Sequence, residues 1–366
     1  MVRQKFLALE SDMANALFER EAEIHGSVLA LAAPGGRHLY MLGEPGVGKS
    51  LLVTEMLRRI DGAQKFDTLM MRTSLPEQIF GPVSLAGLQA DVVRRTGTGK
   101  LQEAHLAFLD EGFKANSAIL NSMLRILNER VYEDGGGPRK VPLISCSVAS
   151  NELPQGEDLN ALYDRLHLRY VVHRIQDDAN FTKMLTFSSP APAASVSLAE
   201  IGAAQAEVRA VKVGATATDG IKKIRLGCEK QGVRVSDRKW RESVGILQAE
   251  AWLNDHAEVQ SDDLAILQHV LWSAPEERKK VIDVVFTIAC PAMPRALEIV
   301  DLVAEQRKVG KASPDKLTDA FKVVRHLSDE LDALVKQSGA KFTALADAQK
   351  KVKKHRAELG ALVVGS

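Results

Sequence analysis

At about 150 residues per domain, the 366 residues predict two to three domains. Hydrophobic residues at 45% and charged residues at 26% exclude a disordered chain, and the glycines follow no collagen-like triplet period. Lys and Arg total 48 against 47 Asp and Glu, a net charge of +1, and aromatics are 5%; the chain has neither the basic field nor the stacking platforms of a nucleic-acid binder.

Over 11–32, Met13, Leu17, Ile24, Val28 and Leu31 recur at helical spacing and predict one helix, ended by Pro34-Gly35-Gly36. The apolar run His38–Leu42 follows, and Gly43 opens a glycine-rich turn. Further short runs, Thr68–Met71, Leu106–Leu109, Leu143–Val148 and Leu168–Val172, alternate with the helical patterns Lys49–Ile60 and Ser117–Arg130. Such alternation predicts a parallel sheet covered on both faces. Residues 186–198 (TFSSPAPAASVSL) read as a linker or extended insertion, and strand signals stop there. Helices are expected beyond it, with Trp240, Val244, Leu247 and Trp252 as one buried stripe and Pro275 starting a further helix. Pro291 and Pro294 punctuate the next segment. From Leu317 through Phe342 to Leu359 the mixed apolar spacing, interrupted at Gly339, fits either a helical hairpin with a short coiled coil or a plain bundle. The basic end (Lys350, Lys351, Lys353, Lys354, Arg356) reads as a complement to a helix dipole.

The chemistry starts at Gly43-Glu44-Pro45-Gly46-Val47-Gly48-Lys49-Ser50, a complete G-x-x-x-x-G-K-S between an apolar strand and an amphipathic helix. Its glycines let successive N–H groups curl around one anion, and the helix dipole adds positive potential. Lys49 would reach the β- and γ-phosphates of a nucleotide, and the Ser50 hydroxyl suits Mg²⁺. A buried strand that ends in Asp110-Glu111 supplies the carboxylates: Asp110 for the metal shell, Glu111 to polarise the attacking water. Asn151 closes a neighbouring strand as either a ligand-facing amide or a turn residue; Arg165 is either a finger supplied in trans or a surface ion pair. Cys146, Cys228 and Cys290 form no CxxC pair, which fits a reducing compartment. With no signal-peptide pattern and no apolar run near the roughly 20 residues of a bilayer span, a soluble cytoplasmic protein without a direct membrane span is expected.

These residues carry a resemblance to the AAA+ ATPases of the MoxR group, most closely the RavA branch. It rests on the phosphate loop, Pro76-Glu-Gln-Ile-Phe-Gly-Pro82, Phe108-Leu-Asp-Glu111, Ala118-Ile-Leu-Asn121, Asn128-Glu-Arg130, Ala149-Ser-Asn-Glu-Leu-Pro154, Leu162-Tyr-Asp-Arg165, Ala179-Asn-Phe181 and Ser236-Asp-Arg238-Lys-Trp240. It implies an α/β fold: an αβα AAA+ core with a parallel five-stranded sheet over 1–187, a helical lid with a Pro/Ala/Ser-rich insertion over 188–275, and a C-terminal helical hairpin or bundle over 276–366. The phosphate-binding set would run from Gly43 to Leu51. Asn151 would orient the lytic water, Arg165 (or Arg169) would be the arginine finger, and Arg238 would be the lid arginine on the γ-phosphate. The base would lie near Phe18–Ile24, and Gln89–Glu103 and Val131–Val141 would face the pore of a hexameric ring. Lys100 and Gln102 replace an aromatic and a proline of relatives, and Gly112-Phe113 a bulkier pair, which leaves the hydrolytic set intact. The resemblance implies ATP hydrolysis with Mg²⁺ that drives chaperone-like remodelling of a client protein, with a von Willebrand factor A domain partner. A nucleic-acid motor and a non-hydrolysing scaffold are the alternatives; no NKxD-type motif supports a GTPase.

Overall fold

A computed structural model describes residues 2–135, 137–154, 156–338 and 343–364. Gly136 of the expected pore hairpin, and Gly339 and Phe342 of the C-terminal pattern, lie outside the described residues. The strands are β1 (Leu39–Leu42), β2 (Ile60–Asp61), β3 (Lys65–Leu69), β4 (Leu106–Asp110), β5 (Val131–Asp134), β6 (Gly137–Lys140), β7 (Ser145–Ser150), β8 (Leu168–Val171) and β9 (Val196–Ser197).

The main sheet has five parallel strands in the order β3-β4-β7-β1-β8. Leu39 pairs with Ser147 and with Leu168, and Leu109 pairs with Val148, so the carboxyl ends of β4, β7 and β1 lie side by side. Tyr40, Leu109, Cys146 and Val148 are fully buried in it, as expected of strands covered on both faces. The helix Ser117–Glu129, capped by the Asn116 side chain on the Ile119 N–H, buries Ile119, Leu120, Met123, Ile126 and Leu127 in the same core. This α/β architecture, followed by helices after β9, is the one the sequence predicts.

Several local expectations need correction. The N-terminal apolar pattern forms two helices, Val2–Ala16 and Glu21–Ala32, separated where Glu19 takes φ 56. There the Glu19 carboxylate accepts the N–H groups of Gln176 and Asp177, a tertiary demand that overrides helical propensity. The third strand starts at Lys65, upstream of Thr68–Met71, because its ladder with β4 runs from Lys65↔Leu106 to Leu69↔Asp110. Likewise β7 starts at Ser145 and not at Leu143, although Leu143 is buried. Segment 186–198 is not a free linker: Val196 is buried, β9 pairs in parallel with β2, and Ser195 Oγ donates to Asp61 at 2.6 Å. In the proposed stripe Leu247 and Trp252 are buried, whereas Trp240 and Val244 are half-buried.

The chain forms two compact units. The first comprises Met1–Gly214, Val235–Val259 and His269–Pro275; within it the helices Leu198–Ala210 and Asp237–Leu253 pack on the two N-terminal ones, with the Phe6 and Trp252 rings edge to face at 5.4 Å. The second comprises Ala215–Arg234, Gln260–Gln268 and Glu276–Ser366. There Met293–Ala312, Pro314–Ser338 and Thr343–Val364 pack on one another around Ile299, Val303, Val324, Leu331, Val352 and Leu359, a plain bundle in place of a two-helix coiled coil. The basic end does not serve a helix dipole, because it lies mid-helix: Lys353 pairs with Asp332 at 3.3 Å and Arg356 with Asp329 at 3.2 Å on the adjacent helix. No helix among the described residues is long and apolar enough to cross a membrane.

Three histidines of the first unit give the fold a pH signature. Burial, followed by nearby cations, holds His38 and His167 well below the usual imidazole range. His25 is also desolvated, but Glu250 at 2.7 Å and Glu10 at 2.9 Å raise it well above that range. Below about pH 6.5 the unfolded chain takes up protons that His38 and His167 refuse, so stability rises with pH there; above it, the native state keeps the His25 proton that the unfolded chain loses, so stability falls. The expected outcome is a maximum in apparent Tm near neutrality, and His25→Gln should flatten its alkaline side alone. Melts across a pH series check this.

Candidate active site

The phosphate loop connects β1 to the helix Lys49–Arg58. Gly46 and Gly48 take φ of 80 and 89, a region where a side chain would be strained. At Gly43 a Cβ would sit 2.5 Å from the Val172 carbonyl oxygen. The Gly43 N–H donates to the Ser150 carbonyl at 3.1 Å, which ties the loop to the end of β7. Lys49 is buried, and its ammonium donates to the Gly43 and Glu44 carbonyls. Burial lowers its pKa, while the Asp110 and Glu111 carboxylates pull the other way. Glu44 reaches outward to an ion pair with Arg174 at 2.6 Å, and Leu51 is half exposed on the helix.

Opposite the loop, β4 ends in Asp110. The Ser50 hydroxyl donates to Asp110 Oδ2 at 3.2 Å, so two hard oxygens from separate elements meet. That donor pair suits a small divalent cation such as Mg²⁺. Glu111 follows in a left-handed conformation, φ 52, with the Lys114 ammonium 3.3 Å from its Oε2. Non-glycine residues held there carry strain of about 1–3 kcal/mol, a cost that clusters at working sites. Gly112 is required because a Cβ there would lie 2.5 Å from Val148 Cγ1 of β7. Asn151, exposed, directly follows β7 and so stands between the loop and the acidic strand end.

A cleft of about 320 Å³ opens beside the loop, lined by Gly43, Val47, Val172, His173 and Gln176 among others. Phe18 is half-buried edge to face against Phe187 at 5.0 Å, and Ile24 is buried. Gln102 Nε2 donates to the Phe80 carbonyl at 2.8 Å and Lys100 Nζ to the Gln78 carbonyl at 3.0 Å, fastening the short helix Pro76–Phe80. The hairpin β5–β6 is hydrogen-bonded to the Gln89–Glu103 segment through Gly135 N–H on the Val93 carbonyl.

The arginines separate cleanly. Arg169 is 1% exposed; its guanidinium stacks over the Tyr163 ring at 3.7 Å and donates to the Tyr163, Leu166 and Trp272 carbonyls, which leaves it no reach toward another molecule. Arg165 ends the helix Glu157–Asp164, half-buried, with one nitrogen on the Ala161 carbonyl. Burial, and then the positive charge of Arg238, lower its pKa. Arg238, exposed, is thus Arg165's neighbour, and Ser236 and Lys239 from the same segment approach Asp164 at 3.4 and 3.9 Å. Two groups of residues therefore emerge: the loop, Asp110, Glu111 and Asn151 at one sheet edge, and the Arg165–Arg238 pair.

A phosphate loop beside an acidic strand end, on a five-stranded parallel sheet followed by helices, defines a nucleotide-binding protein of the AAA+ class. The MoxR domain of MoxR-vWA-beta-propeller ternary systems matches residues 4–199, and an AAA lid domain matches 217–285. Two uncharacterised proteins of Methanocaldococcus jannaschii are 36% identical over 310 residues (83% of this chain, 82% of theirs) and 33% identical over 305 residues (82% and 79%). A crystal structure of a candidate ATPase from Cytophaga hutchinsonii superposes with a TM-score of 0.62 over 78% of this chain and 94% of that one; at 14% identity it speaks for the fold. The chain belongs to the MoxR-type AAA+ ATPases.

Within Phe18–Ile24, the stretch expected near the base, sequence reasoning did not single out Glu19 and Arg20, which border the cleft from the break between the N-terminal helices. Most of their partners are backbone groups, which leave no trace in a residue pattern; the exception is the Asn180 side chain, which donates to Glu19 at 3.0 Å and lies in the Ala179-Asn-Phe181 motif. Loss of the Lys49 charge should weaken nucleotide binding by about 10–100-fold or more, the scale of charged hydrogen bonds. Titration of a fluorescent ATP analogue against Lys49→Ala checks this, and equal affinity would refute the loop's role.

Proposed function

We propose that the protein hydrolyses ATP to ADP and phosphate with Mg²⁺ and that a ring of its copies, hexameric as in the resembling group, passes the resulting motion to a client protein. The observation that carries this reading is the 3.2 Å approach of the Ser50 hydroxyl to Asp110, which gives one cation two hard ligands beside the phosphate loop. In this reading the loop from Gly43 to Leu51 cups the phosphates with its N–H groups and Lys49 serves as a point charge. Ser50 and Asp110 would hold the metal, which would supply positive charge to offset that of the transferred phosphate. Glu111 accepts a proton from the attacking water and Asn151 orients that water; the bond from the γ-phosphorus to the β-γ bridging oxygen breaks and ADP leaves. Arg165 acts in trans on the nucleotide of an adjacent subunit. Arg238 contacts the γ-phosphate and couples hydrolysis to lid movement.

The same proposal keeps the organisation into core (1–187), lid (188–275) and C-terminal bundle (276–366). It assigns the chain to the RavA branch on the resemblance carried by the ordered motifs from the phosphate loop to Ser236–Trp240, and gives it a chaperone-like role in the cytoplasm. The description of the matched family supports a partner with a von Willebrand factor A domain, with a β-propeller protein as the third member. The near-neutral charge favours protein over nucleic acid as client.

Glu111→Gln should keep ATP binding and lower turnover by about 10²–10⁴-fold, the usual contribution of a general base. Arg165→Ala should lower turnover by about 10³-fold or more with little loss of affinity. Mixing the two variants should restore part of the activity, since some interfaces then pair an intact glutamate with an intact finger. Steady-state phosphate release from wild type, each variant and the mixture tests the reading; wild type without turnover above Glu111→Gln would sink it.

A further inference from the structure

Arg20 has no part in the roles assigned above, yet it is 6% exposed and its guanidinium donates to three backbone carbonyls. It follows Glu19, whose backbone is left-handed, and starts the helix Glu21–Ala32. Its Nη2 donates to the Val47 carbonyl of the phosphate loop at 2.7 Å and to the His173 carbonyl beyond β8 at 2.6 Å. Glu19, beside it, accepts from Gln176 N–H at 2.7 Å, Asp177 N–H at 3.0 Å and the Asn180 amide at 3.0 Å. One dipeptide therefore grips the loop and the opposite wall of the cleft.

The consequence follows from peptide geometry. A trans peptide unit is planar, with its C=O and N–H on opposite sides. Holding the Val47 oxygen at Arg20 therefore turns the N–H of Gly48 away from Arg20. Gly48 precedes the helix Lys49–Arg58 and, at φ 89 with no side chain, has little else to fix its plane. N–H groups at a helix start have no intrahelical acceptor and bind anions. A bond from a charged donor is strong enough to set that plane before a ligand arrives.

We propose that Arg20 is a positioning residue for phosphate binding: through the Val47 carbonyl it presets the Gly48 N–H toward the phosphates, and through His173 it fixes the loop to the cleft wall. This rests on the nucleotide reading of the same loop. The test measures affinities of wild type, Arg20→Gln and Arg20→Lys for Mg-ATP and for Mg-tripolyphosphate, which has phosphates and no base, together with the thermal midpoint without ligand. Arg20→Gln should weaken both ligands by about tenfold or more, equivalent to about 1.4 kcal/mol each, with the ligand-free midpoint within a few degrees of wild type. Arg20→Lys, which keeps one charged donor, should fall between; if Arg20→Gln does not fold, the same criterion is read on Arg20→Lys. Unchanged affinity for both ligands overturns the proposal, and so does loss of ATP affinity with tripolyphosphate unaffected, since that pattern places the effect at the base. A folded wild type that binds neither ligand refutes the nucleotide reading itself.

Discussion

Parallel strands deliver all their carboxyl ends to one edge, and here β7 lies between the strand that feeds the phosphate loop and the strand that ends in Asp110. With strands about 4.8 Å apart, that separates the ends of β1 and β4 by roughly 10 Å, room for a phosphate and its metal but too far for direct contact. The loop and the first turn of Lys49–Arg58 lean back across the end of β7 to close the gap, which is how Ser50 reaches Asp110. The Gly43 N–H on the Ser150 carbonyl anchors that fold-back, and Asn151 is left at its midpoint.

Charge is distributed accordingly. A buried lysine faces two carboxylates, which keeps the local sum of charges low while a hydrophobic sheet lies beneath. The arginines follow the opposite logic. The Arg169 charge is solvated by carbonyl dipoles and an aromatic face, and the side chain holds β8 to the segment around Trp272. Burial and the positive charge of Arg238 both disfavour the charged form of Arg165, an arrangement that an incoming polyanion would relieve.

The sequence announces local chemistry well and tertiary partnership poorly. The phosphate loop, the β4 ending and the amphipathic Ser117–Glu129 follow from glycine geometry and periodicity, and all appear where predicted. Strand order does not, because ladder pairing is non-local. Arg165 and Arg169, four residues apart, look alike as letters; only burial distinguishes them. Pro- and Ala-rich composition at 186–198 concealed that Val196 is fully buried, and the uninterrupted apolar rhythm over 11–32 concealed the break at Glu19, which contacts more than a hundred residues away impose. The family resemblance contributed what spacing could not, by singling out Asn151, Arg165 and Arg238 for attention.

The backbone of Glu111 has a consequence for how this protein could drift. A glutamate at φ 52 is an uncomfortable resident, and glycine or asparagine would occupy the same turn with less strain. Replacement there would relieve strain and remove the carboxylate proposed to activate water, so in that reading durability and turnover are opposed at a single α-carbon. Copies of such a fold released from catalysis would have a downhill path to inert, long-lived descendants.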